Sequence, residues 1–190
     1  MYQPLGDNMK LGIYMGSFNP PHQGHLSVIN YLLDNNVVDK ILIVPTLNYW
    51  DKDNLVDIKD RINMLKYWEN NHIIVDDTNN KYIYTYELLQ VLSQKYPNDT
   101  LYPIMGADNI LSFDKWKNYQ DILKYKIIVM NRNNIDIKKY LNKFGLEHFM
   151  VFKDYPFINI SSTEIRKKLN SKYLDKKIRE YIEKNHLYEN

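Results

Sequence analysis

Two histidines, His22 and His25, close the segment G-S-F-N-P-P-H-Q-G-H that runs from Gly16 to His25. The apolar run Leu11–Met15 leads into this segment and a helical pattern follows it. A strand that ends in Gly16 and Ser17 and turns through Pro20 and Pro21 into a helix presents backbone N–H groups at the carboxyl edge of a sheet. A helix start at that edge favours an anion. The two imidazoles project to the same side of the helix. With the backbone of Gly16, Ser17 and Phe18 they make a phosphate cradle. The segment matches neither the P-loop pattern nor the dinucleotide pattern G-x-G-x-x-G. The same residues would also serve as a plain helix cap. A histidine pair can bind metal, but no third ligand of suitable spacing lies near, so no protein-held metal is assigned.

A second anion-friendly helix start lies far along the chain in I-S-S-T-E-I-R, Ile160 to Arg166. Ser161 and Glu164 form the S-x-x-E capping box. Ser162 and Thr163 add hydroxyls beside the free N–H groups, and Arg166 brings a fork of donors one turn later. Alone, this is also what a well-capped surface helix looks like. Two such anion-friendly starts in one small chain weigh against that plain reading.

The elements that must hold these starts alternate. Apolar β-type runs occur at Leu11–Met15, Lys40–Pro45, His72–Asp76, Thr100–Met105, Lys126–Met130 and His148–Phe152. Helical spacing appears at His25–Asn35, Lys59–Glu69, Tyr84–Lys95 and Ile137–Phe144, then in two successive C-terminal helices, Ser161–Asn170 and Asp175–Asn185. Strand–helix alternation predicts an α/β fold: a Rossmann-like parallel sheet with helices on both faces and a C-terminal helical segment over residues 161–190. Strands that read as continuous apolar runs suit burial on both sides. No repeat or linker divides the chain, so residues 1–190 read as one domain with a loose tail over 1–9.

Composition removes several classes of function. A hydrophobic content of 44% over 190 residues is enough to close a core without disulfides or structural metal. Twenty-five Lys and Arg against 23 Asp and Glu leave +2, unlike the strongly basic footprint of a nucleic-acid binder. The sequence has no Cys, which excludes a thiolate zinc site and a cysteine nucleophile and fits a cytoplasmic location. A mean hydropathy of -0.54, with no apolar run near the length of a membrane span, predicts no membrane partner. The first ten residues lack the basic and apolar regions of a secretory signal.

The Gly16–His25 segment resembles the signature of the HxGH nucleotidyltransferases through Gly16, Ser17, Phe18, Asn19, Pro20, His22, Gly24 and His25, with Asn19 where many members carry Asp. The I-S-S-T-E-I-R element is similar to a second element of that superfamily. Between them the chain resembles the nicotinate/nicotinamide mononucleotide adenylyltransferases in three stretches: Lys52 with D-R-I-N-M-L at Asp60–Leu65, Y-T-Y-E-L-L at Tyr84–Leu89, and I-M-G-A-D-N-I-L-S-F-D-K-W at Ile104–Trp116. Glu87 and Leu88 depart from the family pattern.

The resemblance implies adenylyl transfer from ATP to a pyridine mononucleotide, with magnesium carried by the phosphates. It implies that His22 and His25 are catalytic. ATP would be held by Gly16, Ser17, Phe18, His25, Gly106, Asp108, Ser162, Thr163 and Arg166. The mononucleotide would be held by Ser17, Phe18, Lys52, Thr85, Trp116 and Arg132. Nicotinate is favoured over nicotinamide on likeness to the bacterial type, and a homo-oligomer is allowed. Rival readings are a phosphopantetheine adenylyltransferase, a cytidylyltransferase, or a non-catalytic nucleotide sensor. Taken by residue type alone, Trp68 reads as core and Trp116 equally as core or as a stacking face; Tyr49 and Trp50 read as a substrate lid or an exposed turn.

Overall fold

The computed structural model describes residues 8–47, 55–78, 81–132 and 135–189. Its strands are β1 (Lys10–Gly16), β2 (Lys40–Pro45), β3 (Ile73–Val75), β4 (Thr100–Gly106), β5 (Ile127–Met130) and β6 (Phe149–Phe152). All pair in parallel in one sheet of order β3-β2-β1-β4-β5-β6. This is the parallel α/β fold expected from the alternation, and every expected strand is present.

Alternate residues of the inner strands enter separate cores. Ile41, Ile43, Ile128 and Met130 join one cluster, whereas Leu42, Val44, Ile127 and Val129 join the other. Both faces are therefore covered, which is why these strands read as unbroken apolar runs. The first face is packed by α1 (Gln23–Asp34), α2 (Ile58–Leu65) and the C-terminal helices. The second is packed by α3 (Thr85–Lys95), α4 (Ala107–Ile110), α5 (Tyr119–Ile122) and α6 (Lys138–Asn142). The C-terminal helices are α7 (Ser162–Lys167) and α8 (Lys176–Lys184), which bury Ile165, Ile178 and Ile182.

The strand order turns back between β1 and β4. Tyr14 of β1 pairs with Ile104 of β4, so Gly16 and Gly106 end side by side. The crevice beyond such a reversal is where open α/β sheets take ligands.

Some boundaries differ from expectation for local reasons. The single-turn helices α4 and α5, and a 3-10 turn at Phe113–Lys115, lie where no helix was expected. One turn carries no readable period. The expected helix over Lys59–Glu69 tightens to 3-10 geometry at Lys66–Trp68, with Trp68 buried. The expected helix Ser161–Asn170 stops at Lys167 because Lys168 leaves helical dihedrals (φ -145, ψ 78). At the expected N-terminal tail, Asn8 and Met9 hydrogen-bond to Asn98 and to the Asp99 carboxylate. No helix among the described residues is long and apolar enough to cross a membrane.

Candidate active site

The loop leaving β1 is held in an unusual conformation. Phe18 adopts φ 47 while buried at 1% exposure, a left-handed state that costs a non-glycine residue about 1–3 kcal/mol. Ring contacts hold it there: Tyr14 meets Phe18 edge-on at 5.3 Å and His25 meets it at 4.9 Å. Gly16 leaves room for that ring, since a Cβ there would lie 3.2 Å from Phe18. A left-handed residue inside a turn brings successive N–H groups to one side, which is the geometry of an anion nest.

His22 is the N-cap of α1, and its Nδ1 accepts from the Gly24 N–H at 3.1 Å. His25 Nδ1 accepts in turn from the His22 N–H at 3.2 Å. An imidazole nitrogen that accepts carries no proton, so in each neutral ring the proton sits on Nε2. The rings lie 3.8 Å apart. Burial, then the nearby Arg132, pushes His22 down to about 4. Burial, His22 and Arg132 hold His25 well below its ordinary value. Both rings are therefore neutral Nε2–H donors near neutrality.

Behind the loop lies Arg61, only 1% exposed. One of its terminal nitrogens donates to the carbonyls of Ser17 at 2.7 Å and Thr46 at 2.8 Å, and its Nε donates to the Val56 carbonyl at 3.2 Å. The guanidinium thus ties the ends of β1 and β2 to the approach of α2.

In front of the loop is a cleft of about 1060 Å³. Gly16, Ser17, Phe18, His22 and His25 line it on one side, Gly106, Asp108 and Arg132 on another, and Thr85 and Trp116 on a third. Asp108 sits 3.7 Å from Arg132. A Cβ on Gly106 would come within 2.6 Å of the Asp108 carboxylate, so glycine lets that side chain fold back over the strand end. Trp116 packs on Phe113 with ring centroids 5.7 Å apart and also lines the cleft. Beside it, the Lys117 ammonium sits over the Tyr84 ring at 4.2 Å. Among the described lining residues Asp108 is the one carboxylate, against Lys115, Lys117 and Arg132. Such a field suits a polyanion.

The second helix start docks on the first loop. Ser162 Oγ donates to the Pro20 carbonyl at 3.0 Å, and Arg166 donates to the Asn19 carbonyl at 2.7 Å and to Thr163 Oγ1 at 3.2 Å. The capping box forms, with Ser161 Oγ accepting from the Glu164 N–H and the Glu164 carboxylate accepting from the Ser161 N–H. Ser162, Thr163 and Arg166 are not among the cleft-lining residues; they buttress its rim. Their first N–H groups have no intrahelical partner, as at any helix start. Lys52, Tyr49 and Trp50 lie outside the described residues.

Residues 13–168 match the cytidylyltransferase-like family model. A protein of Acholeplasma laidlawii named probable nicotinate-nucleotide adenylyltransferase is 38% identical, over 93% of this chain and 96% of its own. The nicotinate-nucleotide adenylyltransferase of Bacillus subtilis is 31% identical, over 95% of this chain and 98% of its own. The chain belongs to the nicotinate-nucleotide adenylyltransferases. A nicotinic acid mononucleotide adenylyltransferase of Plasmodium falciparum, solved in complexes with APC and with NaAD, superposes with a TM-score of 0.78 at 25% identity, covering 95% of this chain and 98% of that one.

Among the described residues of this adenylyltransferase, no group of three His, Cys, Asp or Glu could cage a metal. Asp108 is the carboxylate that the described cleft lining offers to an ion carried mainly by phosphate and water. Sequence reasoning gave Arg61 no role at the site, although a signal was present: it shares the helical stripe of Ile58, Ile62 and Leu65, where a charge must be buried with partners. Lys115 and Lys117 were also missed, because nothing in their local pattern separates them from a solvated turn.

The histidines also predict an acid limit. Their neutral forms are favoured by the fold, so this stability is complete above the ordinary histidine value of 6.5 and is lost as pH falls through about 4 for His22. The loss for His22 alone is roughly 3 kcal/mol. The urea midpoint should therefore fall steadily from pH 6.5 toward 4, and a His22→Gln/His25→Gln variant should flatten that slope. A slope unchanged in the double variant would assign the acid loss to other groups.

Proposed function

We propose that this nucleotidyltransferase moves the adenylyl group of ATP onto the 5′-phosphate of nicotinate mononucleotide, releasing pyrophosphate and forming the dinucleotide in NAD biosynthesis. The observation that carries this reading is the convergence on one cleft of the β1 loop with its two Nε2–H donors, the Gly106–Asp108 strand end and the Trp116 face.

The nucleophile arrives ready. A phosphate monoester has a second pKa of about 6, so it is mostly dianionic at neutral pH and needs no general base. The obstacle is bringing one anion to the α-phosphorus of another, which makes catalysis a matter of positioning and charge stabilisation. The N–H groups of Gly16, Ser17 and Phe18 take the incoming phosphate. His25, steadied by His22, donates Nε2–H to the α-phosphate as charge builds there. From the rim of the cleft, the N–H groups of Ser162 and Thr163 and the Arg166 donors not spent on Asn19 and Thr163 would take the departing pyrophosphate. Magnesium, when bound, supplies charge neutralisation on the triphosphate, and Asp108 with water would hold it. Trp116 offers a face to the pyridine ring, a contact of about 0.5–2 kcal/mol for a pyridinium. Arg132 and Thr85 complete the mononucleotide side. A cytoplasmic setting accords with the absence of Cys.

Lys117 supports the acid over the amide. Its ammonium, held over Tyr84 and lining the cleft with Thr85 and Trp116, would put positive charge on the side of the cleft assigned to the mononucleotide. Pyrophosphate release with each mononucleotide should give a kcat/KM favouring nicotinate by at least about tenfold, and Lys117→Met should shrink that preference by roughly fivefold. Equal or better turnover of the nicotinamide form would overturn the acid assignment.

A further inference from the structure

Asn19, next to the left-handed Phe18, is 2% exposed and is gripped from both its side chain and its backbone. Its carbonyl accepts from Arg166 at 2.7 Å. Its Oδ1 accepts from the Val56 N–H at 3.3 Å and, more closely, from the Tyr188 hydroxyl at 2.7 Å. Tyr188 comes from the far end of the chain, by a route the structure makes firm. Helix α8 buries Ile178 and Ile182, and Tyr181 donates to the Asp60 carboxylate of α2 at 2.8 Å while accepting from Asn63 at 2.9 Å. Beyond the helix, Leu187 N–H returns to the Ile182 carbonyl at 3.0 Å. His186 and Tyr188 both take positive φ, which turns the chain back over the β1 loop.

We infer that Tyr188 is a positioning residue for adenylyl transfer: the C-terminal strap holds Asn19, and through it sets the N–H groups of Gly16–Phe18 and the His22 cap. The inference rests on reading that loop as the transfer site. A phenol to amide bond this far along the chain is unnecessary for α1, which is already capped by its own histidines, and for the sheet, which is paired strand to strand. The hydroxyl ends on Asn19, the residue between the nest and the cap. Shifts well under an ångström there move donors that must meet charge in the transition state, so the effect belongs in kcat rather than in substrate affinity.

Tyr188→Phe removes one oxygen and keeps the ring. With ATP and nicotinate mononucleotide, kcat is expected to fall about tenfold while both KM values stay within about twofold. The thermal midpoint should move by only a few degrees. In an Asn19→Ala background, or Asn19→Ser if the alanine variant does not fold, the Phe substitution should cost nothing further, because the hydroxyl acts through Asn19. An unchanged kcat in Tyr188→Phe overturns the inference, as does an equal proportional loss in both backgrounds or a loss that tracks the unfolded fraction. If His25→Ala stays active, the site reading itself fails; if His25→Ala is inactive and Tyr188→Phe is silent, only the strap fails.

Discussion

Replacing His25 by alanine is expected to lower kcat by at least about 10²-fold with the fold intact. The size follows from what the ring is in this structure. Its Nδ1 is already occupied by the His22 N–H, so Nε2–H is the donor left for substrate. A preorganised neutral donor at a developing oxyanion typically contributes about 10²–10³ in rate. The structural cost is smaller: alanine leaves the His22 N–H without its acceptor, a capping loss of about 0.5–2 kcal/mol against a typical total of 5–15. Because the donor meets charge that exists mainly in the transition state, kcat and kcat/KM should fall together. The pH dependence separates this role from an imidazolium. A charged ring would lose activity as pH rises through 6.5, whereas burial holds His25 well below that value, so no such fall is expected in the wild type. Steady-state pyrophosphate release and a thermal melt on the same preparation decide the matter. A folded variant retaining kcat within tenfold of wild type would remove His25 from the chemistry.

The sheet could be read from the chain because burying a strand on both faces forces an unbroken apolar run, and each expected run lies in a strand. The helices α4 and α5 could not, since a single turn has no period to detect. The loop histidines were legible as a pair, but their mutual cap was not: which nitrogen accepts depends on ring orientation, and spacing alone does not carry that. The capping box of Ser161 and Glu164 was legible because both partners are local. The docking of Ser162 and Arg166 on Pro20 and Asn19 was not, because those contacts span more than 140 positions. Tyr188 gives no local signal at all: nothing in L-Y-E-N distinguishes a strap from a frayed end. Contacts between distant segments are set by how α7 and α8 cover the first core, and only the folded chain contains that information.

Arg61→Ala should damage the protein in the opposite way to His25→Ala, with stability lost first. The guanidinium is the shared donor for the carbonyls of Ser17, Thr46 and Val56, and it is almost wholly removed from solvent. Its removal leaves three half-buried acceptors without this donor, each worth up to about 1–3 kcal/mol where water cannot reach it, and opens a cavity behind the nest. Water entering that cavity recovers part of the loss, so the net cost is set at about 3–5 kcal/mol, read as a lowered urea midpoint. Arg61→Met separates the causes. It fills most of the volume but supplies no donor, so it should be nearly as unstable as the alanine variant if unpaired carbonyls dominate, and close to wild type if the cavity does. Arg61→Lys should recover only part, because one ammonium on a flexible stem cannot reproduce a planar fork aimed at separate carbonyls. A methionine variant within about 1 kcal/mol of wild type would show that Arg61 fills space rather than tying the β1 and β2 ends together. The rigidity of the nest would then rest on the Phe18 ring contacts and the Asn19 bonds alone.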